Sequence, residues 1–336
     1  MKISVKAKKA YDVYIEDEIF SLKDYLDFEK RYFVVVDSNL PKEKVELFKK
    51  ELKDSSFYYL EAIEENKNLI TVEVILEELL TQNFSKSDFL IGLGGGIIGD
   101  IAAFIASIYK RGMNYIYFPT STTAMIDVAI GGKNGVNLLK SKNIVGTINP
   151  PYKVVIDLSF LNSLPEKHYN NGLVEAIKMA MLFDKDLFEL FLKKDFKNIK
   201  EIVTRSLKIK KEVVEKDEED LDYRNLLNFG HTLAHAIEAS SDYAISHGEA
   251  VARGILVDTH NQYLKDKLKT IFKSLKIRYN YKLKIDKIKS YIYSDKKIKY
   301  EKIRIILLED LEKYIVKYVT VDEYIELLKE GVSHGF

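Results

Sequence analysis

Cysteine is absent from all 336 residues. Disulfides, thiolate nucleophiles and cysteine-based zinc sites are therefore excluded, and any metal must be held by histidine and carboxylate. Net charge is nearly absent too: 52 Lys and Arg stand against 51 Asp and Glu, a formal +1. That balance offers no global electrostatic case for nucleic acid or a membrane surface. No uninterrupted apolar run reaches bilayer length, and Met1 to Lys6 carries no apolar signal core. Internal repeats and low-complexity tracts are missing as well. What is present is a 46% apolar, 31% charged composition, at a length sufficient for two domains. A cytoplasmic enzyme or binding protein is expected.

From the start to about Phe160, short strand patterns alternate with helical ones. Strands are expected at Arg31–Val36, Phe57–Leu60, Phe89–Ile91, Tyr115–Phe118 and Val154–Asp157. Helices are expected at about Pro41–Leu52, Leu69–Asn83, Ile98–Tyr109 and from Ser121 onward. This alternation predicts an α/β domain with a mostly parallel sheet, covering 1–158. After Leu158 the strand signals largely stop, and helices are expected over Pro165–Leu182, Asp186–Lys194, Asn198–Lys216, Asn225–Ser240 and Gly248–Leu264. A mainly α domain over 159–336 follows. Lys265 to Arg304 is rich in Lys and Tyr, which reads as a solvated helix face because acids elsewhere balance the charge.

The run Ile91-Gly-Leu-Gly-Gly-Gly-Ile-Ile-Gly-Asp100 joins a buried strand to an Ala- and Ile-rich helix. Glycines there allow a sharp turn and a phosphate's approach to bare N–H groups, or simply tight helix–sheet packing. The run differs from the dinucleotide fingerprint G-x-G-x-x-G: it lies deep in the chain and an Asp follows at once. Asp37, ending an early strand, suits either a cofactor ribose or the cap of the next helix. Farther on, Ser121-Thr122-Thr123 opens a helix in which Asp127 is an acid among apolar residues, unusual unless paired or functional. Gly131-Gly132-Lys133, Lys142-Asn143 and Arg111 set cations beside glycine turns and suggest an anion pocket.

In the helical half, Glu175 and Lys178 share a helix face, as an ordinary surface pair would. Of six histidines, three fall between His231 and His247. His231 and His235 stand one turn apart, which permits joint metal binding or a division between ligand and acid/base. An antiparallel helical hairpin would return His247 towards His231. Two imidazoles and one carboxylate would leave a zinc position open for substrate.

Taken together, Gly94-Gly95-Gly96-x-x-Gly99-Asp100, Arg111-Gly112, Thr120–Thr123, Asp127-x5-Lys133, Lys142-Asn143, Glu175-x-x-Lys178 and Asn228-Phe229-Gly230-His231…His235…His247-Gly248-Glu249 resemble the 3-dehydroquinate synthase family. The resemblance runs from about Asp37 to Lys302. It implies an NAD-binding Rossmann-like domain, a helical domain, an active site in the cleft between them, and a homodimer. Glu175, His231 and His247 would ligate zinc or cobalt. Asp127, Lys133, Asn143, Lys178, Lys210, Arg224, Asn228 and His235 would line the substrate pocket. Arg111 matches an arginine that reaches the neighbouring subunit's site, and Lys142 a cleft lysine. The positions matching those that hold NAD are Asp37, Glu64, Lys67, Gly95, Gly96, Ile97, Asp100, Thr120, Ser121, Lys133, Lys142, Phe160 and Ser163. Asp295-Lys296-Lys297 matches the family's C-terminal lysine motif, in which Lys296 or Lys297 would face the substrate.

By the same resemblance the reaction takes 3-deoxy-D-arabino-heptulosonate 7-phosphate to 3-dehydroquinate and phosphate. Hydride is lent to NAD, phosphate leaves by β-elimination, the hydride returns, and an intramolecular aldol step closes the ring. Ala234, Val174 and Asp222 depart from the family pattern, and Asp220 replaces its usual glutamate. Two rival activities share the motifs: a 2-deoxy-scyllo-inosose or valiolone synthase, and an NAD-dependent polyol or glycerol-phosphate dehydrogenase. The Lys210, Arg224 and Asn228 set, suited to a carboxylate, argues against a neutral sugar.

Overall fold

The computed structural model describes residues 1–139, 141–241, 244–294 and 302–333. Lys296 and Lys297 of the C-terminal motif lie outside the described residues. The chain opens with an antiparallel pair, β1 (Lys2–Val5) and β2 (Tyr11–Glu16). Then come β3 (Tyr32–Asp37), α1 (Lys42–Glu51), β4 (Ser55–Leu60), α2 (Leu69–Thr81), β5 (Phe89–Gly94), α3 (Gly96–Ile108) and β6 (Asn114–Pro119). A hairpin, β7 (Lys133–Leu138) and β8 (Ser141–Ile148), precedes β9 (Lys153–Asp157). Seven strands form one sheet in the order β1-β2-β9-β6-β5-β3-β4, parallel from β2 to β4. The central strands are apolar throughout because both faces are covered: Val34, Val35, Leu90 and Ile91 are wholly buried. β1 and β2 are additions to the sequence reading. Polar and apolar residues alternate along both, with every second residue buried, so neither contains a continuous apolar run.

Winding reverses between β3 and β5: β3 leads outward to β4, whereas β5 returns to β3's other side. Ligands of open α/β sheets sit beyond the carboxyl ends of the strands at such a reversal. Asp37 ends β3 and Gly94 ends β5, so the glycine turn lies at that point. Part of its glycine content is packing. A Cβ on Gly99 would sit 2.5 Å from Tyr117 Cζ, and the Tyr117 hydroxyl donates to the Gly95 carbonyl at 3.0 Å. Gly99→Ala is therefore expected to cost about 1–3 kcal/mol through overpacking, read as a lower urea midpoint.

The later chain contains α4 (Glu166–Phe183), α5 (Lys185–Leu192), α6 (Ile199–Lys216), α7 (His231–Ser240), α8 (His247–Asp258), α9 (Gln262–Ser274) and α10 (Ile285–Ser294). A second hairpin, β10 (Lys302–Asp310) with β11 (Lys313–Thr320), and α11 (Val321–Ser333) follow. The hairpin escaped the sequence reading because a short apolar run such as Ile303–Leu308 has no period that separates strand from buried helix. The expected helix 225–240 is broken at Gly230, whose φ of +76° suits only glycine comfortably. Packing divides the chain into one unit of 1–165 with 199–219, and another of 166–198 with 220–336. α6 thus belongs with the sheet, an excursion that a single boundary at 158/159 leaves out. No helix among the described residues is long and apolar enough to cross a membrane.

Candidate active site

In the sheet unit, the Asp37 carboxylate accepts the Asn39 N–H at 3.0 Å. α1 begins later, behind Pro41, so Asp37 closes a turn at the strand end and does not cap that helix. Thr120 N–H donates to the Gly94 carbonyl, pairing the ends of β5 and β6. Phe160 and Ser163 lie on the helical turn after β9, with the Ser163 hydroxyl bonded to the Phe160 carbonyl at 3.0 Å. Asp37, Gly95, Gly96, Ile97, Thr120, Ser121, Phe160 and Ser163 therefore all follow carboxyl ends of parallel strands. Asp100 is taken up by an ion pair with Lys67, whose ammonium also reaches Asn143 Oδ1 at 2.5 Å. Burial raises the Asp100 carboxyl's pKa, and the Lys67 ammonium opposes that rise.

The segment after Ser121 widens into a single π-helical stretch, Ala124–Val128, instead of a regular α-helix. Asp127 lies in it, and Lys210 of α6 bonds both its carboxylate and its carbonyl. An isolated π turn shifts a side chain's direction relative to an α-helix, which is why such turns collect at functional sites. The acid in an apolar helix is thus paired, by a lysine 83 positions later. Lys133 is exposed at the start of β7. Arg111 is exposed, with φ of +64°, beside Gly112 at +116°.

In the helical unit, α4, α7 and α8 carry the centre. Gly248 on α8 sits against Asn171 of α4, where a Cβ would come 2.6 Å from the Asn171 carbonyl oxygen. Gly230 and Gly254 likewise meet backbone to backbone where the start of α7 crosses α8. These close approaches bring one carboxylate and two imidazoles together. His247 Nε2 lies 3.1 Å and His231 Nε2 3.6 Å from Glu175 Oε1. Among the described residues, Glu175, His231 and His247 are the set whose donor atoms all come within 4.8 Å of one another. The opposite ring nitrogens are anchored: His231 Nδ1 to the Phe229 carbonyl and His247 Nδ1 to Glu238 Oε2, both at 3.1 Å. Such outer partners fix ring orientation at metal centres.

The electrostatics differ between the two rings. Burial, aided by the Lys178 ammonium, holds His231 well below the usual imidazole range and so neutral. Burial also disfavours the charged ring of His247, but hydrogen bonds to Glu175 and Glu238 outweigh it and raise its pKa. Burial would raise Glu175, yet Lys178, His231 and His247 together keep it well below the usual carboxylate range. Lys178 and Glu175 are each 2% exposed and 2.5 Å apart, so the surface pair that i,i+3 spacing suggests is in fact a buried ion pair. His235 is exposed and outside the donor set, its ring 5.5 Å from that of His231. Arg224 is buried on the turn Tyr223–Asn228. Asn228, donating to Asn225 Oδ1 at 3.1 Å, borders a cavity of about 200 Å³ with Thr232, Lys302 and Arg304.

Two supporting carboxylates gave no signal in the sequence. Glu238 orients His247, as above. Asp258, buried at the end of α8, accepts the Gly230 N–H at 3.2 Å and the Tyr324 hydroxyl at 3.1 Å. Burial pushes its carboxyl up to about 7, against those two bonds. A raised carboxyl pKa contributes stability below the unfolded value near 4 that is lost as pH climbs towards 7. Roughly three units correspond to at most about 4 kcal/mol. Asp258→Asn can serve both partners without charge, so its advantage in urea midpoint over the native chain is expected to grow from pH 5 to pH 8.

Comparison with known proteins places these elements in context. The profile of the 3-dehydroquinate synthase N-terminal domain matches residues 57–171, and that of the C-terminal domain matches 172–298. A 3-dehydroquinate synthase of Dictyoglomus thermophilum is 36% identical, covering 100% of this chain and 99% of its own length. That of Clostridium tetani is 34% identical over 99% of this chain and 95% of its own. Among solved structures, a 2-deoxy-scyllo-inosose synthase bound to carbaglucose-6-phosphate, NAD+ and Co2+ superposes with a TM-score of 0.88 at 23% identity, over 98% of this chain and 100% of that one. A 2-epi-5-epi-valiolone synthase from Streptomyces hygroscopicus with NAD+ and Zn2+ gives 0.86 at 23%, over 99% and 100%. An iron-containing alcohol dehydrogenase reaches only 0.62 at 15%, over 96% and 97%. Those three solved structures share the fold, whereas the sequence likeness along the full length is to 3-dehydroquinate synthases. With two domain profiles matched in succession and relatives aligned end to end, this chain belongs to the 3-dehydroquinate synthase family.

Proposed function

We propose that the chain converts 3-deoxy-D-arabino-heptulosonate 7-phosphate into 3-dehydroquinate and phosphate, acting as a carbon–oxygen lyase of the shikimate pathway. The observation that carries this reading is the cluster of Glu175, His231 and His247, with both rings anchored from behind, in a chain of this family. Two imidazoles and one carboxylate, with the distances above, fit zinc or cobalt and leave a position open. When bound, a divalent cation supplies Lewis acidity to a substrate hydroxyl and NAD a reversible hydride acceptor. The cyclases that bind NAD+ with Co2+ or Zn2+ support both.

The remaining work falls to side chains of this protein. The sheet unit is the NAD-binding domain: the N–H groups of Gly95, Gly96 and Ile97, after the carboxyl end of β5, would hold the dinucleotide's phosphates. The helical unit is the metal- and substrate-binding domain. Lys178 keeps Glu175 ionised, and Arg224 with Asn228 offers fixed donors to a substrate carboxylate. Fixed cations in a desolvated site stabilise developing charge without reorganising. His235, outside the donor set, exchanges a proton with the departing phosphate. Asp127 and Lys210 act as one ion-paired unit, and Lys133 supplies a further cation. The protein is cytoplasmic and a homodimer in which Arg111 serves the neighbouring subunit, a state that light scattering reads directly.

The deciding experiment supplies the heptulosonate phosphate with substoichiometric NAD. Many phosphates released per NAD, with no net rise in NADH absorbance, are expected. NADH accumulating in step with turnover would assign a dehydrogenase instead, and release from glucose 6-phosphate would assign the deoxyinosose cyclase.

A further inference from the structure

The β7–β8 hairpin contains an irregularity with a consequence for the sheet unit. Val136 pairs with Val145, but Leu138 pairs with Ser141, so two residues on β7 span four on β8. Lys142, Asn143 and Ile144 thus stand opposite Asn137 alone, an excess of two residues, and Asn143 takes φ of +51°. Bulges of this kind re-aim side chains beside active sites. Here the bulge turns Asn143 to Lys67 at 2.5 Å and brings Lys142 within 3.9 Å of Glu64.

Asn137 lies opposite this bulge and closes it. Its Oδ1 accepts the Asn143 N–H at 3.0 Å, holding the strained residue. Its Nδ2 donates to Glu64 Oε1 at 2.8 Å and, at 3.4 Å, to the Glu64 carbonyl. Its own N–H donates to the Lys67 carbonyl at 2.8 Å. Asn137 therefore bonds both ends of the Glu64–Lys67 turn, Lys67 through the Asn137 backbone N–H and Glu64 through its half-buried carboxamide, which also holds the backbone of the bulge. An aspartate would keep the acceptor but lose the donor and face Glu64 with like charge. A leucine or alanine would lose both.

We propose that Asn137 is a positioning residue for NAD: it sets the Glu64 carboxylate, and through Asn143 the Lys67 ammonium, in the geometry that receives the dinucleotide. This rests on the assignment of the sheet unit to NAD under the proposed function. Asn137 itself touches neither the reacting atoms nor the metal ligands. Because it acts through Glu64, its loss and the loss of Glu64 overlap, which ordinary loosening of the hairpin would not produce.

The test is calorimetric titration of NAD+ into the native chain, Asn137→Ala, Asn137→Asp, Glu64→Gln and the double variant Asn137→Ala/Glu64→Gln, each checked by thermal melting. Asn137→Ala is expected to weaken NAD binding about 10–100-fold, the range for outer partners of binding groups. Asn137→Asp should weaken it at least as much despite its near-identical shape. The double variant should bind no more than about threefold more weakly than Glu64→Gln alone. Affinity within twofold of native in folded Asn137→Ala or Asn137→Asp overturns the assignment, as does full multiplication of the two single effects in the double variant. Should Asn137→Ala fail to fold, the isosteric Asn137→Asp decides alone. A native chain that binds no NAD+ overturns the NAD assignment itself and this inference with it, which keeps the two failures distinct.

Discussion

Glu175→Gln is expected to lose the divalent metal and nearly all turnover together. The carboxylate supplies the oxygen towards which both His231 Nε2 and His247 Nε2 are directed. A carboxamide keeps the shape but offers a weaker, neutral donor, and its NH2 group competes for the same position. The substitution also strands Lys178, 2% exposed, without its counter-charge. Breaking a buried pair by removing one partner costs about 3–5 kcal/mol, more than a neutral exposed site would lose. Two readouts are therefore expected to move: metal per chain after dialysis against a chelator, measured by elemental analysis, and the melting temperature of the metal-free protein. Full metal occupancy after dialysis would remove Glu175 from the ligand set, even if activity fell. Restoring the balance with Glu175→Gln/Lys178→Met should recover part of the stability and none of the metal, which separates the two effects.

His235→Ala is expected to behave in the opposite way. Its ring stands beside that of His231 but outside the donor set, and it is exposed, whereas Glu175 and His231 are buried and His247 is half-buried. Metal content and melting temperature should stay near the native values. Turnover should fall roughly 10²–10⁴-fold, the span associated with a positioned acid/base. The loss should appear in kcat more than in KM if the proton is transferred only in the transition state. Native turnover in a metal-loaded His235→Ala protein would overturn the role. The pair of variants separates metal binding from proton transfer: both lose turnover, but only Glu175→Gln loses the metal.

Local sequence carried a large share of this. The glycine turn, the alternation of buried strands and helices to Asp157, and the amphipathic helices of the later chain are properties of neighbours, legible from period and composition. Even Asp127 stood out as an acid in an apolar helix, unusual unless paired or functional, and it is paired with Lys210. What remained hidden were relations between distant positions. His231 and His235 share a helix face, so spacing alone allows both as ligands. The backbone contacts of Gly230 with Gly254, and of Gly248 with Asn171, bring His247 and Glu175 to His231. Glu175 and Lys178 look like a solvent pair until α8 covers them. β10 and β11 owe their form to each other, since a strand has no hydrogen bonds of its own. The sequence by itself determined which chemical groups the protein owns and which local shapes carry them. Only the tertiary structure decided which carboxylate meets which imidazole, because coordination and burial depend on helices separated by tens of residues, and no local period records their meeting.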